Sequence, residues 1–182
     1  VILPHRETFQ AAGAGAVGLG ARDAAACSRL TPRIYGDAVD DPLDPARFAP
    51  VRYGAWWRGR KAARYLAGVI AALRAAPPGL IEIHNRPVYL PALRAAFPRT
   101  PLLLYVHNDP RSMRGLREPR RRRRVLQMAD AVVCVSERVR GRLLEMGVAP
   151  SLRGRLNVIL NGVDSAALRP AAEKAREVVY VG

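Results

Sequence analysis

Short apolar runs alternate along this chain with stretches that have the hydrophobic spacing of helices. Most of the runs have four or five residues and few polar interruptions, which is typical of strands that are buried on both faces. The predicted strands, in chain order, are Arg33–Tyr35, Leu80–Ile83, Leu102–Val106, Ala131–Val135, Leu156–Leu160 and Val178–Val181, and Val1–Leu3 has the character of the end of a further strand.

The helical stretches lie between these runs. The clearest is Trp57–Ala76, where Tyr65, Val69 and Leu73 stand four residues apart and share one face. The other predicted helices are Ala14–Ser28, Pro87–Phe97, Arg117–Met128 and Glu137–Met146. The segment Asp37–Gly54, with three prolines and four aspartates, is predicted to be a long irregular connection. Strands that alternate with helices predict an α/β fold with a Rossmann-like, doubly wound, mainly parallel sheet of at least six strands.

Polar residues directly follow four of the predicted strands. In chain order they are His84 and Asn85, then His107, Asn108 and Asp109, then Ser136 and Glu137, and finally Asn161 and Gly162. Ligands of open α/β sheets bind beyond the carboxyl ends of the strands, so we expect His84, His107 and Ser136 to cluster at that edge. Structural interpretations are equally simple: Ser136 is a natural helix cap, and Asn161-Gly162 is a common turn pair.

The glycines before the first predicted helix have two interpretations. Gly13, Gly15 and Gly18 spell GxGxxG, and Asp37 lies about 20 residues further on, as in a dinucleotide-binding fingerprint. That fingerprint should follow its strand directly, whereas the residues Pro4–Ala12 intervene here. What remains is a helix start whose N–H groups could receive a phosphate, or simply a flexible entry to the helix.

The chain is strongly basic and its positive charge is almost entirely arginine. Lys and Arg number 30 against 15 Asp and Glu, which gives a net charge of +15. Five consecutive arginines, Arg120 to Arg124, fall in one predicted helix. They indicate either a solvated helix face or a contact with an anionic membrane surface or a phosphorylated ligand. No aromatic residues alternate with them, so a platform for stacking nucleic-acid bases is not expected.

Several classes of protein are excluded by what the sequence lacks. No apolar stretch approaches the roughly 18 residues that a membrane-spanning helix needs. Cys27 and Cys134 cannot form a metal-ligand set, and two reduced thiols are favoured over a disulfide between them. The sequence has no GxxxxGK[ST], HExxH or GxSxG motif and no Asp-x-Asp pair. We therefore expect no metal and no resident cofactor.

One order of segments resembles a known family. The segments are GAGAVG at 13–18, IEIHNRP at 81–87, LLLYVHND at 102–109, ADAVVCVSERVR at 129–140, VILNGVD at 158–164 and VVYVG at 178–182. Together they resemble the N-terminal, acceptor-side half of a retaining, family-four glycosyltransferase of the GT-B fold. The resemblance implies an acceptor-side domain at residues 1–175 whose start is truncated. Residues 176–182 would be the linker and the first strand of a missing donor-binding domain.

The resemblance also implies an activity and a site. Members transfer a sugar from a nucleotide-sugar to an acceptor with retention and without an essential metal. His107 would act in catalysis near the transferred sugar, and Gly13 and Gly15 would approach the donor diphosphate and the acceptor. By the same resemblance, Ser136 and the loop Asn161–Asp164, with Gly162, would shape the cleft and the linker to the second domain. Their position after predicted strands makes further candidates for binding the donor or acceptor of His84, Asn85, Asn108, Asp109 and Glu137. A lipopolysaccharide or another bacterial envelope glycan is the implied product, made in the cytoplasm at the inner face of the membrane. The alternative is a non-catalytic Rossmann-like module that binds a dinucleotide or a nucleic acid.

Overall fold

The computed structural model describes residues 1–53 and 61–162, which form six strands and six helices. The strands are β1 (Ile34–Asp37), β2 (Phe48–Val51), β3 (Ile81–His84), β4 (Leu102–Val106), β5 (Ala131–Cys134) and β6 (Leu156–Val158). The helices are α1 (Ala16–Ala26), α2 (Lys61–Ala75), α3 (Leu90–Ala96), α4 (Pro119–Met128), α5 (Glu137–Glu145) and α6 (Pro150–Arg153), with 3₁₀ turns at Pro87–Tyr89 and Pro110–Ser112.

The strands form two parallel groups, and Ile2 links these groups into one sheet. β1 pairs with β2, and β3, β4, β5 and β6 pair in that order; all of these named strands run parallel. Ile2 bridges to Tyr35 on one side and to Ile83 on the other, which links the two groups of strands. The spatial order is therefore β2, β1, the Ile2 segment, β3, β4, β5 and β6, and the prediction of a mainly parallel sheet of at least six strands is confirmed.

Two hydrophobic cores lie on opposite faces of this sheet. Ile2 and Tyr35 belong to the larger core, whereas their chain neighbours Leu3 and Ile34 belong to the smaller one. Successive residues of a strand point to opposite faces, so each core covers one face. Helix α1 contributes to the smaller core, and α2 to α5 contribute to the larger core. Helices on both faces make the fold doubly wound, as predicted from the sequence.

The strand order also explains an open groove on one face. From β3 to β6 the strands follow one another in space, and right-handed crossovers then place α3, α4 and α5 on the same face. On the opposite face, a groove of about 1150 Å³ extends between α1 and strands β3 and β4. Residues 159–162, which follow β6, line the carboxyl end of this groove.

The structure differs from the sequence-based expectations mainly in the short elements. Strand β2 lies inside the segment that was predicted to be irregular; it is an edge strand, which is the position in a sheet that tolerates a residue such as Pro50. The predicted helix Pro87–Phe97 divides into a 3₁₀ turn and α3. The predicted strand Val178–Val181, the first turn of Trp57–Ala76 and the boundary after residue 175 lie outside the described residues. Cys27 is exposed, Cys134 is buried, and both are free thiols.

No helix in 1–53 or 61–162 is long and apolar enough to cross a lipid bilayer.

The run of arginines is not one uniform surface, because Arg122 is buried. Only 5% of Arg122 is exposed, and its guanidinium donates to the carbonyls of Leu116 (2.9 Å) and Met146. The helical repeat turns Arg122 to the same side as Val125 and Leu126, which belong to the core. The expectation that all five arginines form a ligand or membrane surface is therefore wrong for Arg122. The exposed arginines of α4 are Arg120, Arg121, Arg123 and Arg124.

Replacing Arg122 should destabilise the fold, because Met fills much of the same volume but leaves the carbonyls of Leu116 and Met146 without a donor. We expect Arg122→Met to lower the free energy of unfolding by about 2 kcal/mol, the cost of orphaned buried acceptors. Urea titration followed by circular dichroism measures the change. Arg123→Met, at the exposed neighbouring position, is the control and should change the free energy by less than about 0.5 kcal/mol. Equal effects of the two substitutions would contradict a structural role for Arg122.

Candidate functional site

Two histidines meet at the carboxyl ends of β3 and β4. His84 lies opposite Tyr105 in the parallel register, and His107 follows β4. Nδ1 of His84 is 2.9 Å from Nε2 of His107, and the two ring centroids are 5.1 Å apart. The ring of Tyr105 stacks on that of His84, with the ring centroids 4.7 Å apart and the planes at only 6° to each other. His84 and His107 thus lie together at the carboxyl edge of the sheet, as expected from the sequence.

Burial keeps this histidine pair neutral. Desolvation lowers the pKa of His107 to about 4, with a smaller contribution from His84, and it also lowers the pKa of His84, which is only 4% exposed. The short contact between the rings adds a geometric constraint. One nitrogen must donate and the other accept, so both rings cannot be doubly protonated at once. At neutral pH the pair is a hydrogen-bonding unit without charge.

Glu82 provides the nearest negative charge. Its Oε2 is 3.8 Å from Nε2 of His84, which is too long for a hydrogen bond but close enough for electrostatic attraction. His84 accordingly holds the pKa of Glu82 below its ordinary value, although burial opposes the shift. Nε2 of His84 has no hydrogen-bond partner among the described residues. It faces a carboxylate that remains ionised.

Asn85 fixes the backbone beside the histidines. Its side-chain Oδ1 accepts hydrogen bonds from the N–H of His107 (2.8 Å) and the N–H of Asn108 (3.4 Å). Its own N–H donates to the carbonyl of Tyr105 at 2.9 Å. Asn85 has a φ of +52°, in the left-handed region that asparagine tolerates better than most residues. Its side chain, which sequence analysis assigned to ligand binding, holds the loop after β4 in place.

The groove brings together four of the residues singled out from the sequence. His84, His107, Asn161 and Gly162 line it together with Tyr105. The remaining candidates after the strands do not line it. Ser136 and Glu137 have partners in α5: Ser136 Oγ accepts from the N–H of Val139, and the carboxylate of Glu137 lies 3.5 Å from Arg140. The carboxylate of Asp109 pairs with Arg111 at 2.7 Å. Asn108 is exposed. Arg111 lowers the pKa of the Asp109 carboxyl to about 2.

A carboxylate of the chain itself occupies the glycine-rich helix start. Oε1 of Glu7 accepts the N–H of Gly18 at 3.1 Å, and a Cβ atom on Gly15 would collide with the same oxygen. Gly13 has a φ of +89° and open space around it. The positive end of α1 therefore already has an anion beside it. Nothing in the sequence singles out Glu7 beyond its being an acid shortly before a predicted helix.

A second group of polar side chains surrounds Asp37 at the same edge of the sheet. Asp37 accepts from the N–H of Arg6 (3.2 Å) and the hydroxyl of Tyr53 (2.8 Å), and it lies 3.0 Å from Nζ of Lys61. Hydrogen bonds from Lys61 and Tyr53 leave the pKa of Asp37 below its ordinary value, although burial, the largest single influence, opposes this. Arg6 has a φ of +77°. The acid that a dinucleotide fingerprint would use for ribose is thus engaged within the chain.

Arg86 is a positive group near this cluster, and sequence analysis did not place it among the site residues. The pKa of His5 is lowered, first by burial and then by the charges of Arg86 and Arg6. Arg86 is half-buried, and its Nε has no hydrogen-bond partner among the described residues. No group of three or more His, Cys, Asp or Glu side chains that could hold a metal ion occurs within 1–53 and 61–162.

Known structures share this fold at low sequence identity. The crystal structure of Anabaena Alr3699/HepE in complex with UDP-glucose superimposes with a TM-score of 0.58 and 18% identity, over 90% of this chain and 44% of that one. The HepE complex with UDP and glucose gives a TM-score of 0.57 at 19% identity, with the same coverage of both chains. The HepE complex with UDP gives 0.55 at 18%, again with the same coverage. The chain thus spans less than half the length of these relatives.

A family assignment comes from the sequence. No curated protein sequence matches the chain significantly. The family described as Glycosyltransferase Family 4 matches residues 24–167, a range that extends from within α1 to beyond β6 and covers well over half of the chain. The fold is that of the Rossmann-like N-terminal half of a GT-B glycosyltransferase, as the sequence resemblance implied. The chain belongs to Glycosyltransferase Family 4.

Proposed function

We propose that this chain is the acceptor-side half of a glycosyltransferase that moves a sugar from a nucleotide-sugar to a glycan or lipid-linked acceptor with retention. One observation carries the proposal: the neutral His84–His107 pair lies in one groove with Asn161 and Gly162, at the carboxyl edge of the sheet. This edge, next to the point where the strand order reverses, is where open α/β sheets bind ligands. The UDP-glucose in the HepE structure supports a nucleotide-sugar as the donor class.

The chemistry available at this edge fits transfer of a sugar. His107 is neutral because burial lowers its pKa to about 4, so it can form a hydrogen bond with a sugar hydroxyl without carrying a charge of its own. Arg6 and Arg86 place positive charge at the same edge, where it would attract the phosphates of a donor or an acceptor. With these cations and no Asp-x-Asp pair in the sequence, the proposed transfer uses neither a metal nor a resident cofactor.

No observation favours the alternative of a dinucleotide- or nucleic-acid-binding module. Glu7 occupies the helix start that would receive the pyrophosphate, and Asp37 is engaged with Lys61 and Tyr53. Membership of Glycosyltransferase Family 4 supports the transferase instead.

The exposed arginines of α4 support a location for the reaction. Arg120, Arg121, Arg123 and Arg124 crowd four positive charges onto one short helix, in a chain whose net charge is +15. A dense positive surface of this kind is attracted to anionic lipid. We propose peripheral contact with the inner face of a bacterial membrane from the cytoplasm, where lipid-linked envelope glycans such as lipopolysaccharide are built.

The test of the catalytic role is His107→Ala in the full-length protein that contains this chain. We expect kcat/KM to fall by about tenfold to a thousandfold, the range for losing one hydrogen bond to developing charge. The Tm should change by less than about 5 °C, because His107 is only partly buried. Asn157→Ala, an exposed position on β6, is the matched control and should keep full activity. A fully active His107→Ala protein, or one that does not fold, would remove the assignment.

The membrane contact can be tested by exchanging only the exposed arginines of α4 for serine while keeping Arg122. Binding to phosphatidylserine-rich vesicles should drop by at least about tenfold, since each exposed arginine near the surface contributes about 1 kcal/mol. Sedimentation with the vesicles measures it, and binding by the parent protein should weaken with salt. A control with the same loss of charge exchanges four exposed arginines elsewhere, namely Arg29, Arg33, Arg52 and Arg74. If both variants lose binding equally, only net charge matters and α4 is not a docking surface.

The division of labour between two domains predicts the behaviour of the isolated 182-residue chain. Orienting a donor against an acceptor requires contacts from both sides of a cleft. We therefore expect the isolated chain to bind UDP-glucose with a Kd in the millimolar range or weaker, a binding free energy below about 4 kcal/mol in magnitude, and to transfer no sugar. Isothermal titration calorimetry and a transfer assay measure the two properties, with the full-length protein as the comparison. Micromolar binding or steady turnover by the isolated chain would place the donor site in this half.

A further inference from the structure

The contacts of Glu82 with His84, and of His84 with His107, form a directed series that ends at one free ring nitrogen. We propose that Glu82 and His84 are positioning residues, which hold His107 in the tautomer that carries its proton on Nε2 and leaves Nδ1 as a hydrogen-bond acceptor. The acceptor faces a ligand that brings a hydroxyl donor. The assignment of that ligand as a sugar rests on the proposed function; the tautomer does not.

The order of protons follows from the charge at one end. Glu82 stays ionised, and its Oε2 lies 3.8 Å from Nε2 of His84. A negative charge at this distance favours the proton of neutral His84 on Nε2 rather than on Nδ1. Nδ1 of His84 is then an acceptor, and the 2.9 Å contact with His107 requires a donor opposite it. His107 must therefore carry its proton on Nε2.

The other charges around His84 favour the same arrangement. Glu7 adds a second negative charge whose field acts on His84, and in the 182-residue chain the amino group of Val1 opposes it. Among residues 1–53 and 61–162, His84 is the group whose charge affects the pKa of His107. The environment of His84 is therefore polarised by carboxylates on one side and by the ring of His107 on the other.

The two rings are also held rigidly enough for the tautomer to matter. Tyr105 stacks on His84 with the planes 6° apart, and Asn85 fixes the N–H of His107 at 2.8 Å. Among the described residues, no group hydrogen-bonds Nδ1 of His107, and His107 lines the groove together with Asn161 and Gly162. An acceptor that is fixed in place and left unpaired is suited to bind an incoming hydroxyl.

The tautomer can be measured directly in the full-length protein. Labelling histidine with ¹⁵N and recording long-range ¹H–¹⁵N spectra distinguishes the two tautomers, and this chain contributes only three histidines to assign. We expect the Nε2–H form for His107 in the parent protein. Glu82→Gln removes the charge at nearly constant shape, and the resonances of His107 should then show a mixture of tautomers. Nδ1–H as the main form in the parent protein would overturn the proposal.

Activity provides the second measurement, with two exchanges of one residue as a matched pair. His84→Leu removes the acceptor, and kcat should fall about tenfold while KM changes less than about twofold. His84→Asn places an amide oxygen near the position of Nδ1, and it should retain activity within about threefold of the parent. If His84→Leu does not fold, the comparison of His84→Asn with Glu82→Gln carries the test. Activity within twofold of the parent for both His84→Leu and Glu82→Gln would overturn the positioning role.

The pH profile separates positioning from a merely structural effect. Protonation of Nδ1 removes the acceptor, so activity should fall as the pH drops through the pKa of His107, which is about 4. The Glu82 carboxylate stabilises the charged form of the pair, so Glu82→Gln should move this acid limb to lower pH. An unmoved limb would count against the proposal. If the NMR result holds but no sugar transfer is found with any donor, the proposed function fails and the tautomer assignment stands.

Discussion

The hydrogen bonds of Ile2 are the constraint on which the rest of the molecule depends. Its N–H donates to the carbonyl of Glu82 at 2.7 Å, and its carbonyl accepts from the N–H of His84 at 3.1 Å. On the other side, Leu3 donates to the carbonyl of Tyr35 at 3.0 Å. One short segment thus joins both wings of the sheet, and the same bonds fix the strand that carries Glu82 and His84. The geometry of the site follows from the register of the sheet rather than from a mobile loop.

Three of the arginines donate hydrogen bonds to backbone carbonyls of the chain itself. Arg94 donates to the carbonyl of Met128 at 3.0 Å and also pairs with an aspartate, and Arg155 donates to the carbonyl of Ala129 at 2.8 Å. Arg122 likewise binds carbonyls at helix and loop ends. Carbonyls at such ends lack partners within their own element, and the fork of guanidinium donors can reach several of them at once. These guanidinium groups keep their charge, but their N–H donors are already used within the chain and are not free to bind a partner.

The fold was predictable from sequence because burial leaves a periodic record. Continuous apolar runs appear where parallel strands are covered on both faces, and the four-residue spacing of Tyr65, Val69 and Leu73 records the buried face of α2. Strand β2 left no such record, because at the edge of the sheet its composition is free to resemble a loop.

The site was predictable only in part. That residues after neighbouring strands would meet follows from parallel topology alone, and His84 and His107 do meet.

The remaining features of the site depend on side-chain directions, which the sequence does not encode locally. Arg122 belongs to an unbroken run of arginines, and only its position on the helical repeat relative to Val125 separates it from the others. The partners of Glu82 and Asn85 are set by strand pairing across distant parts of the chain, so their roles required the structure. Asn85 is an example. It is a polar residue directly after a strand, where ligand-binding residues are expected, and its side chain accepts hydrogen bonds from the backbone N–H groups of His107 and Asn108.

The glycine-rich segment shows how one motif can have two physical causes. Glycine at position 15 leaves room for the carboxylate of Glu7, which accepts the N–H of Gly18 and would have to shift if position 15 carried a Cβ atom. The pattern that suggests a phosphate site is thus already explained by an internal anion at the positive end of α1. A phosphate arriving at this helix start would have to displace Glu7, and both the lost hydrogen bond and the repulsion between two anions would oppose it. In the proposed reaction, a donor phosphate would therefore bind to Arg6 and Arg86 more favourably than to the start of α1.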